Sequence, residues 1–208
     1  MFIEKIIENY GYDTPILTKD ILSLFSSYTK AYIFRLIKSA EETKELISYS
    51  RGIYYIPRKT CFGQSSIYSN QVIEKKYIKN NENVYGIYSG LYLLNEFGIT
   101  EQVPNIIEIT TNNEATRKRP ITIDKEKYIL RKSRCEITKD NYSSYTLVQL
   151  FYDMNKDDKL SDLANLQIGR YIRQNNITKE KLLSIAIYFP LKTYKKMIKS
   201  GVFDEIAW

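Results

Sequence analysis

Acidic residues near position 155 have a spacing that suggests a calcium site, but two required residues are missing. Asp153, Asn155 and Asp157 stand at positions one, three and five of a calcium-binding loop. The sixth position holds Asp158 where the loop needs glycine, and the twelfth holds Ala164 where a carboxylate must complete the coordination. A polar loop between helices is therefore the better interpretation, and we predict no metal site.

The rest of the composition excludes most hydrolytic chemistry. The 208 residues include no histidine, which rules out a Ser-His-Asp triad, a Cys-His pair and a His-ligated zinc. Cys61 and Cys135 are far apart and belong to no CxxC motif, so they indicate neither a disulfide framework nor a Cys-rich metal site. An enzyme of this composition would need carboxylates, Lys or Tyr for its chemistry, and no glycine-rich nucleotide-binding motif is present. We predict a protein that is not an enzyme and that binds no cofactor.

The overall charge favours an anionic partner. The 31 Lys and Arg residues exceed the 24 Asp and Glu residues by 7, as is typical of chains that bind polyanions. Glu4, Lys5 and Glu8 interrupt the apolar start that a signal peptide needs, and the longest apolar run, residues 182–191, is too short to span a bilayer. We expect a reduced cytoplasmic protein with no membrane insertion, and the length predicts two small domains.

Residues 1–58 have the element order of a winged helix-turn-helix domain. Apolar residues at helical spacing predict three helices, and two apolar runs predict a hairpin with strands at 46–49 and 53–56. Thr18 is expected to cap the second helix, which stops near Ser26. The third helix is expected to begin directly after Ser27, with Tyr28 projecting from its outer side. The expected buried residues are Ile3, Ile6, Ile7 and Tyr10 on the first helix, Ile21, Leu24 and Phe25 on the second, and Ile33, Leu36, Ile37 and Ala40 on the third.

The third helix and the hairpin of this domain could bind DNA. Arg35 and Lys38 project opposite the aliphatic face of the helix, and Arg51 stands at the hairpin tip. Such a helix can lie in the major groove while the tip reaches a phosphate or the minor groove. The alternative is a solvated face for protein contacts, because residues 1–60 carry nine cations and seven anions, a net charge of only +2. The candidate DNA-binding residues are Tyr28, Lys30, Tyr32, Arg35, Lys38 and Arg51.

Residues 66–208 are expected to form a mostly helical α+β domain with a small antiparallel sheet. A linker is predicted at 58–66, where the apolar pattern is interrupted. Strands are predicted at 106–110, 121–123 and 128–131. Helices are predicted at 67–79, 88–97, 145–154, 160–174, 179–188 and 191–199.

Two segments of the second domain concentrate positive charge. Residues 114–134 hold eight cations and three anions, and residues 170–199 are rich in lysine and arginine. Either segment could contact phosphates or the acidic surface of a toxin, and a solvated polar face is the alternative for both. The candidate toxin or phosphate contacts are Arg117, Lys118, Arg119, Arg131, Lys132, Arg134, Lys192, Lys195 and Lys196.

The segment at 86–113, GIYSGLYLLNEFGITEQVPNIIEITTNN, is the most specific pattern in the chain. Together with RLI at 35–37 and SRGIYYIP at 50–57, it resembles the AbiEi-type antitoxins of type IV toxin–antitoxin systems over about residues 18–135. The connection AEETKE, at 40–45, is longer than in that family and changes the expected aim of the wing. The matching positions are Arg35, Leu36, Arg51, Gly52, Tyr54, Pro57, Ser89, Gly90, Leu94, Gly98, Thr100, Gln102, Pro104, Ile109, Thr111 and Asn112.

The resemblance implies a bacterial transcriptional repressor of its own toxin–antitoxin operon. Its winged helix would bind repeats in the promoter, as a monomer or weak dimer in solution. Its second domain would neutralise a co-transcribed nucleotidyltransferase-like toxin, directly or indirectly. Two other classes stay open: a ligand-sensing repressor would need an apolar pocket in the second domain, and a nucleic-acid enzyme would need two close acidic side chains near a basic face.

Overall fold

The protein has a mixed α+β fold in two compact units. A computed structural model describes residues 2–61, 63–81, 83–155, 160–204 and 206. The two units divide between Lys76 and Tyr77. The predicted linker therefore lies inside the first unit, where it contributes two short strands rather than an irregular connection. The residues at 156–159, in the middle of the rejected calcium loop, lie outside the described residues.

The first unit combines three helices with a small antiparallel sheet, and further short elements follow. Strand β3 lies in the centre of the sheet, between β1 and β2, and β4 pairs with β5 in a separate hairpin. Its elements are α1 (Phe2–Tyr10), β1 (Ile16–Leu17), α2 (Thr18–Leu24), α3 (Lys30–Glu42), β2 (Ile47–Ser50), β3 (Ile53–Tyr55), β4 (Lys59–Thr60), β5 (Gly63–Gln64) and α4 (Ser69–Ile73), after which a π-helical turn, Glu74–Ile78, leads into the second unit.

The core of the first unit confirms most of the predicted apolar stripes. Leu36 is an exception: it was predicted to be buried but is only partly buried, because its position lies at the edge of the α3 stripe. Ile3, Ile7, Tyr10 and Leu24 pack against the core while remaining partly exposed. The buried core residues are Ile6, Ile16, Ile21, Phe25, Ile33, Ile37, Ala40, Leu46 and Ile56.

Two helix starts differ from the predicted ones. Thr18 is the first residue of α2 rather than its cap; the capping position is Leu17, whose backbone N–H donates to the Asp20 carboxylate at 3.2 Å. Helix α3 starts at Lys30, after the capping residue Thr29, so Tyr28 precedes the helix instead of projecting from it. Free N–H groups at a helix start can donate either to a carboxylate from the first turn or to a hydroxyl of the capping residue. The sequence alone did not show which of the two each helix uses.

The second unit places a four-stranded sheet against a group of helices. Helix α6 lies at the centre, with every residue at 143–151 buried, and it contacts β6, α5, α8 and α9. The elements of this unit are β6 (Gly86–Ser89), α5 (Gly90–Glu96), β7 (Ile107–Thr111), β8 (Arg119–Ile123), β9 (Glu126–Lys132), α6 (Tyr142–Asp153), α7 (Asp162–Gln174), α8 (Lys179–Ala186) and α9 (Leu191–Lys199).

The sheet of the second unit is mixed, and the prediction of an antiparallel sheet is wrong. The strand order is β6-β7-β9-β8, in which β7 and β9 run parallel while the other two pairs are antiparallel. Strand β8 forms the expected hairpin with β9 but occupies the edge, so β9 pairs with β7. Parallel pairing requires a long crossover, and the segment between β7 and β9, which contains β8, provides it.

Candidate nucleic-acid interface

Helix α3 presents a cationic outer face because its apolar residues recur every three or four positions. Ile33, Ile37 and Ala40 are buried on the inner side. The Thr29 hydroxyl accepts a hydrogen bond from the Tyr32 backbone N–H at 3.3 Å, which fixes the start of the helix. The predicted contact residues Lys30, Arg35 and Lys38 are all exposed on this helix. The helix can therefore offer these side chains to a polyanion without disturbing its core.

Arg35 on this face contacts an aromatic ring, which in turn lies against a second ring. The Tyr28 and Tyr32 ring centroids are 5.4 Å apart, and the Arg35 guanidinium carbon lies 5.7 Å from the Tyr32 centroid. Such a cation–π contact limits the rotamers that the arginine samples. Phe34, with 47% of its surface exposed, is a neighbour that sequence reasoning missed. Because Phe34 lies outside the apolar stripe of α3, the sequence could have predicted that it is exposed.

The turn between β2 and β3 places Arg51 in solvent. Gly52 adopts φ +77°, which side chains other than glycine adopt only with strain. Its carbonyl accepts hydrogen bonds from the Thr18 backbone N–H at 3.0 Å and from the Thr18 hydroxyl at 3.2 Å. The turn is therefore tied to the first residue of α2, and the exposed Arg51 is carried on an anchored tip.

In the second unit, four predicted contact residues gather around the last turn of α6. We call Arg131, Arg134, Lys192 and Lys196 the α6 cationic cluster. The Arg134 guanidinium carbon lies 4.5 Å from the Tyr152 ring centroid, and the Lys192 nitrogen lies 5.7 Å from the same centroid. Residues from the two segments that the sequence analysis treated separately, 114–134 and 170–199, thus form one positive region.

Two members of the α6 cationic cluster also stabilise the fold. The Lys196 ammonium donates to the Phe151 carbonyl at 3.0 Å and also to the Met154 carbonyl, which is favourable at a helix C-terminus. The Arg131 Nε donates to the Glu108 carboxylate at 2.5 Å. These contacts leave Arg134 and Lys192 as the exposed members of the cluster.

The remaining predicted contacts do not join this cluster. Arg117 and Lys118 are exposed in the connection between β7 and β8, and Lys195 is exposed on α9. Arg119 pairs across β8 and β9 with Leu130, so it faces the side of the sheet opposite Arg131. Lys132, which follows Arg131 along β9, also faces that opposite side. The cations at 114–134 therefore do not form one continuous surface.

Arg119 is paired with an almost completely buried carboxylate. Burial by itself raises the pKa of Glu114. Hydrogen bonds from the Thr116 backbone and hydroxyl and from Arg119, together with the charge of Arg119, outweigh burial and lower that pKa to about 2. Glu114 therefore stays ionised at neutral pH and stabilises the connection that carries Arg117.

Substituting this carboxylate should remove a pH-dependent contribution to stability. We expect Glu114→Gln to lower the free energy of unfolding at pH 7 by roughly 1 to 3 kcal/mol. The native pKa lies below the ordinary value of 4.5, so this contribution is complete above pH 4.5 and is lost as the pH falls towards 2. Urea unfolding from pH 7 to pH 2.5 measures it, with the exposed Glu101→Gln as the control. A difference that persists undiminished at pH 2.5 would contradict this assignment.

Two further carboxylates meet at the junction of β7, α5 and α6. The Asp153 carboxylate accepts hydrogen bonds from the Gly90 backbone N–H at 2.7 Å and from the Gln149 amide at 2.9 Å. Burial raises the pKa of Asp153, and the charge of Glu108 adds to that effect. A Cβ added at Gly90 would lie 2.9 Å from the carboxyl carbon of Glu108. Each carboxylate accepts a hydrogen bond from a protein donor, Gly90 or Gln149 for Asp153 and Arg131 for Glu108, which holds its position.

Within the described ranges, no group of three or more Cys, Asp and Glu residues could hold a metal ion. The same part of the chain contains no helix long and apolar enough to cross a membrane. Comparison of the sequence with models of protein families and with curated proteins gave no match.

Proposed function

We propose that the chain is a DNA-binding antitoxin that represses its own toxin–antitoxin operon and neutralises a nucleotidyltransferase-like toxin. In this proposal the first unit is a winged helix-turn-helix module. The order α1-β1-α2-α3-β2-β3 and the sheet order β1-β3-β2 support that assignment. The observation that carries the proposal is the outer face of α3, where exposed Arg35 lies against Tyr32.

Helix α3 would enter the major groove of double-stranded DNA with this face towards the bases. Arg35 can donate two hydrogen bonds to the edge of a guanine. Its contact with Tyr32 reduces the conformational entropy that it loses on binding. Lys30 and Lys38, exposed on the same helix, would neutralise phosphates and make binding sensitive to salt.

The turn between β2 and β3 would supply the second DNA contact. Arg51 is long enough to reach a phosphate or the adjacent minor groove from an exposed tip. The hydrogen bonds between Gly52 and Thr18 hold this turn to the start of α2. The position of Arg51 would therefore be fixed by the contact of the turn with α2, and the turn would not behave as a free loop.

The second unit would act on the toxin without catalysis. Arg117 and Lys118 in the β7–β8 connection, and the exposed members of the α6 cationic cluster, offer positive charge to an acidic partner. The protein would act in the bacterial cytoplasm. Its lysine-rich helices, its two cysteines that form no disulfide and the proposed toxin partner all fit that location.

Binding to promoter DNA tests this function. A labelled fragment of the chain's own promoter is titrated with the intact protein, in parallel with a scrambled fragment of equal length and composition. We expect the promoter to bind at least about 1,000-fold more tightly than the scrambled fragment, with affinity for both falling as salt rises. Equal affinity for the two fragments would contradict a specific repressor.

A ligand-sensing repressor without antitoxin activity is the second candidate. The observation that favours it is a polar cleft in the first unit, not the apolar pocket that was expected in the second domain. The cleft has a volume of about 620 Å³ and is lined by Tyr12, Lys44, Pro57, Arg58 and other residues. Its three cations, Lys44, Arg58 and Lys59, outnumber its one carboxylate, Glu45, which favours an organic anion. Lys44 lies shortly after the end of α3. An increase in melting temperature with a small organic anion such as citrate, joined to weaker promoter binding, would support this candidate.

A further inference from the structure

An exposed phenylalanine on α3 is not explained by the packing of the first unit. Phe34 is 47% exposed, and among the described residues it belongs neither to the buried core of this unit nor to the partly buried side chains packed against it. The exposed tyrosines nearby do contact other rings: the Tyr28 centroid lies 6.4 Å from that of Phe25 in the core, and 5.4 Å from that of Tyr32. These contacts account for the two tyrosines but not for Phe34.

Phe34 lies in the middle of the side of α3 that points away from the core. Four exposed residues on this side have the spacing i, i+3, i+4 and i+7, which places side chains on one face of a helix: Ala31, Phe34, Arg35 and Lys38. The opposite side of the helix is buried. A ring on such an anchored helix has only two side-chain torsions to order when a partner binds, so little entropy is lost.

The chain around Phe34 carries only positive charge. Residues 21–40 contain three cations and no Asp or Glu, and the cations Lys30, Arg35 and Lys38 are all exposed. A single exposed apolar side chain is ordinary on a protein surface, but an apolar ring between cations fits a surface that offers both phosphates and apolar groups. The major groove of DNA is such a surface, because it exposes the methyl group of thymine between the two phosphate backbones.

We infer that Phe34 recognises thymine in the major groove through contact with its 5-methyl group. The inference rests on the proposed repressor function and adds a base that the protein selects. Arg35, the next residue, would donate to the edge of a guanine, so the two neighbouring side chains would select different bases. The contact of the ring with the methyl group removes apolar surface from water and needs no hydrogen bond.

The dimensions of the helix limit where this thymine can lie. From position 31 to position 38 an α-helix rises by about 10 Å. Base pairs are stacked about 3.4 Å apart along the duplex, so this side of α3 covers about three of them. The thymine is therefore expected within about two base pairs of the guanine that Arg35 contacts.

Three other roles fit Phe34 less well. A second copy of the chain meeting this face through a two-fold axis would bring the cations of α3 against each other. A lipid surface needs a continuous apolar face, whereas Arg35 and Lys38 flank the ring. A phenylalanine that inserts between base pairs acts from the minor groove, whereas α3 enters the major groove in the proposed function.

Exchange of thymine for uracil tests the inference, because uracil lacks only the 5-methyl group. Promoter fragments of identical sequence are made with either thymine or uracil, and the affinity of the full-length protein for each is measured by fluorescence anisotropy. The variants are Phe34→Ala, which removes the ring, and Phe34→Leu, which keeps an apolar side chain. The matched control is Tyr68→Ala, which removes a 70% exposed aromatic residue of the first unit that lies outside α3.

We expect the original protein and Tyr68→Ala to bind the uracil fragment at least about threefold more weakly than the thymine fragment, which is the effect of one buried methyl group. Phe34→Ala should bind the two fragments within about 1.5-fold of each other, because the group that contacts the methyl is gone. Phe34→Leu should retain part of the preference for thymine.

The contrary outcomes separate this inference from the proposed function. An equal loss on uracil for Phe34→Ala and the original protein would overturn the inference, since the methyl groups would then act through the shape of the DNA. An original protein that is insensitive to uracil, yet still prefers the promoter to scrambled DNA, would overturn it and leave the repressor function intact. Equal binding of promoter and scrambled DNA would contradict the repressor function as well.

Discussion

Replacement of Arg35 by alanine should weaken promoter binding by about 1 to 3 kcal/mol, or roughly 5- to 150-fold. The side chain is exposed, so the substitution removes a contact to DNA without opening a cavity in the core. The cation–π contact with Tyr32 means that the lost side chain was already positioned. Fluorescence anisotropy with the labelled promoter fragment measures the change.

Arg170→Ala is the matched control for this substitution. Arg170 is also an exposed arginine on a helix, but it lies on α7 of the second unit. We expect its replacement to leave promoter affinity within twofold. Arg35→Lys keeps the charge but loses the two-pronged donor geometry, so its affinity should fall between those of the original protein and Arg35→Ala. Equal affinities for Arg35→Ala and Arg170→Ala, with both proteins folded, would remove Arg35 from the interface.

Replacement of Gly86 by alanine should destabilise the second unit by at least about 3 kcal/mol, and lower its melting temperature by roughly 10 °C. A Cβ added at Gly86 would lie 2.0 Å from the backbone carbonyl oxygen of Tyr77 and 3.0 Å from the Cβ of Thr111. Backbone atoms cannot move aside as the end of a side chain can. Strand β6 must then shift away from the Tyr77 carbonyl, which disturbs its pairing with β7.

Gly11→Ala separates this effect from the general consequence of replacing a glycine. Gly11 adopts φ +72° and has no atoms within 4 Å of an added Cβ, so the change costs only the strain of a left-handed backbone, about 1 to 2 kcal/mol. Thermal unfolding followed by circular dichroism compares the two variants. A smaller loss for Gly86→Ala than for Gly11→Ala would contradict the close packing at β6.

Local sequence patterns predicted the helices well and the sheet pairings poorly. Helix α9 was predicted with the bounds that the structure shows, since Pro190 marks its start and the lysine-rich face marks its length. Strand β6 was missed, and its last two residues were assigned to the helix predicted at 88–97, because GIYS at 86–89 is four residues long and has no alternating pattern. The parallel pairing of β7 with β9 depends on β8 occupying the edge of the sheet. The residues in and next to these strands do not indicate which strand lies at the edge.

The candidate site shows the same division between local and long-range information. The exposure of Arg35 and Lys38 followed from helical periodicity, and the structure confirms it. The meeting of Arg134 and Lys192 at the ring of Tyr152 joins residues nearly sixty positions apart, which periodicity does not predict. The engagement of Lys196 by the α6 carbonyls likewise depends on the packing of α9 against α6.

Hydrogen exchange on the intact protein, with and without promoter DNA, tests the central claim that the first unit binds the duplex through α3. We predict that amides in α3 and in the β2–β3 turn become more protected when promoter DNA is added, and that scrambled DNA at the same concentration has a much smaller effect. Protection confined to the second unit, with α3 unchanged at saturating promoter DNA, would contradict the account.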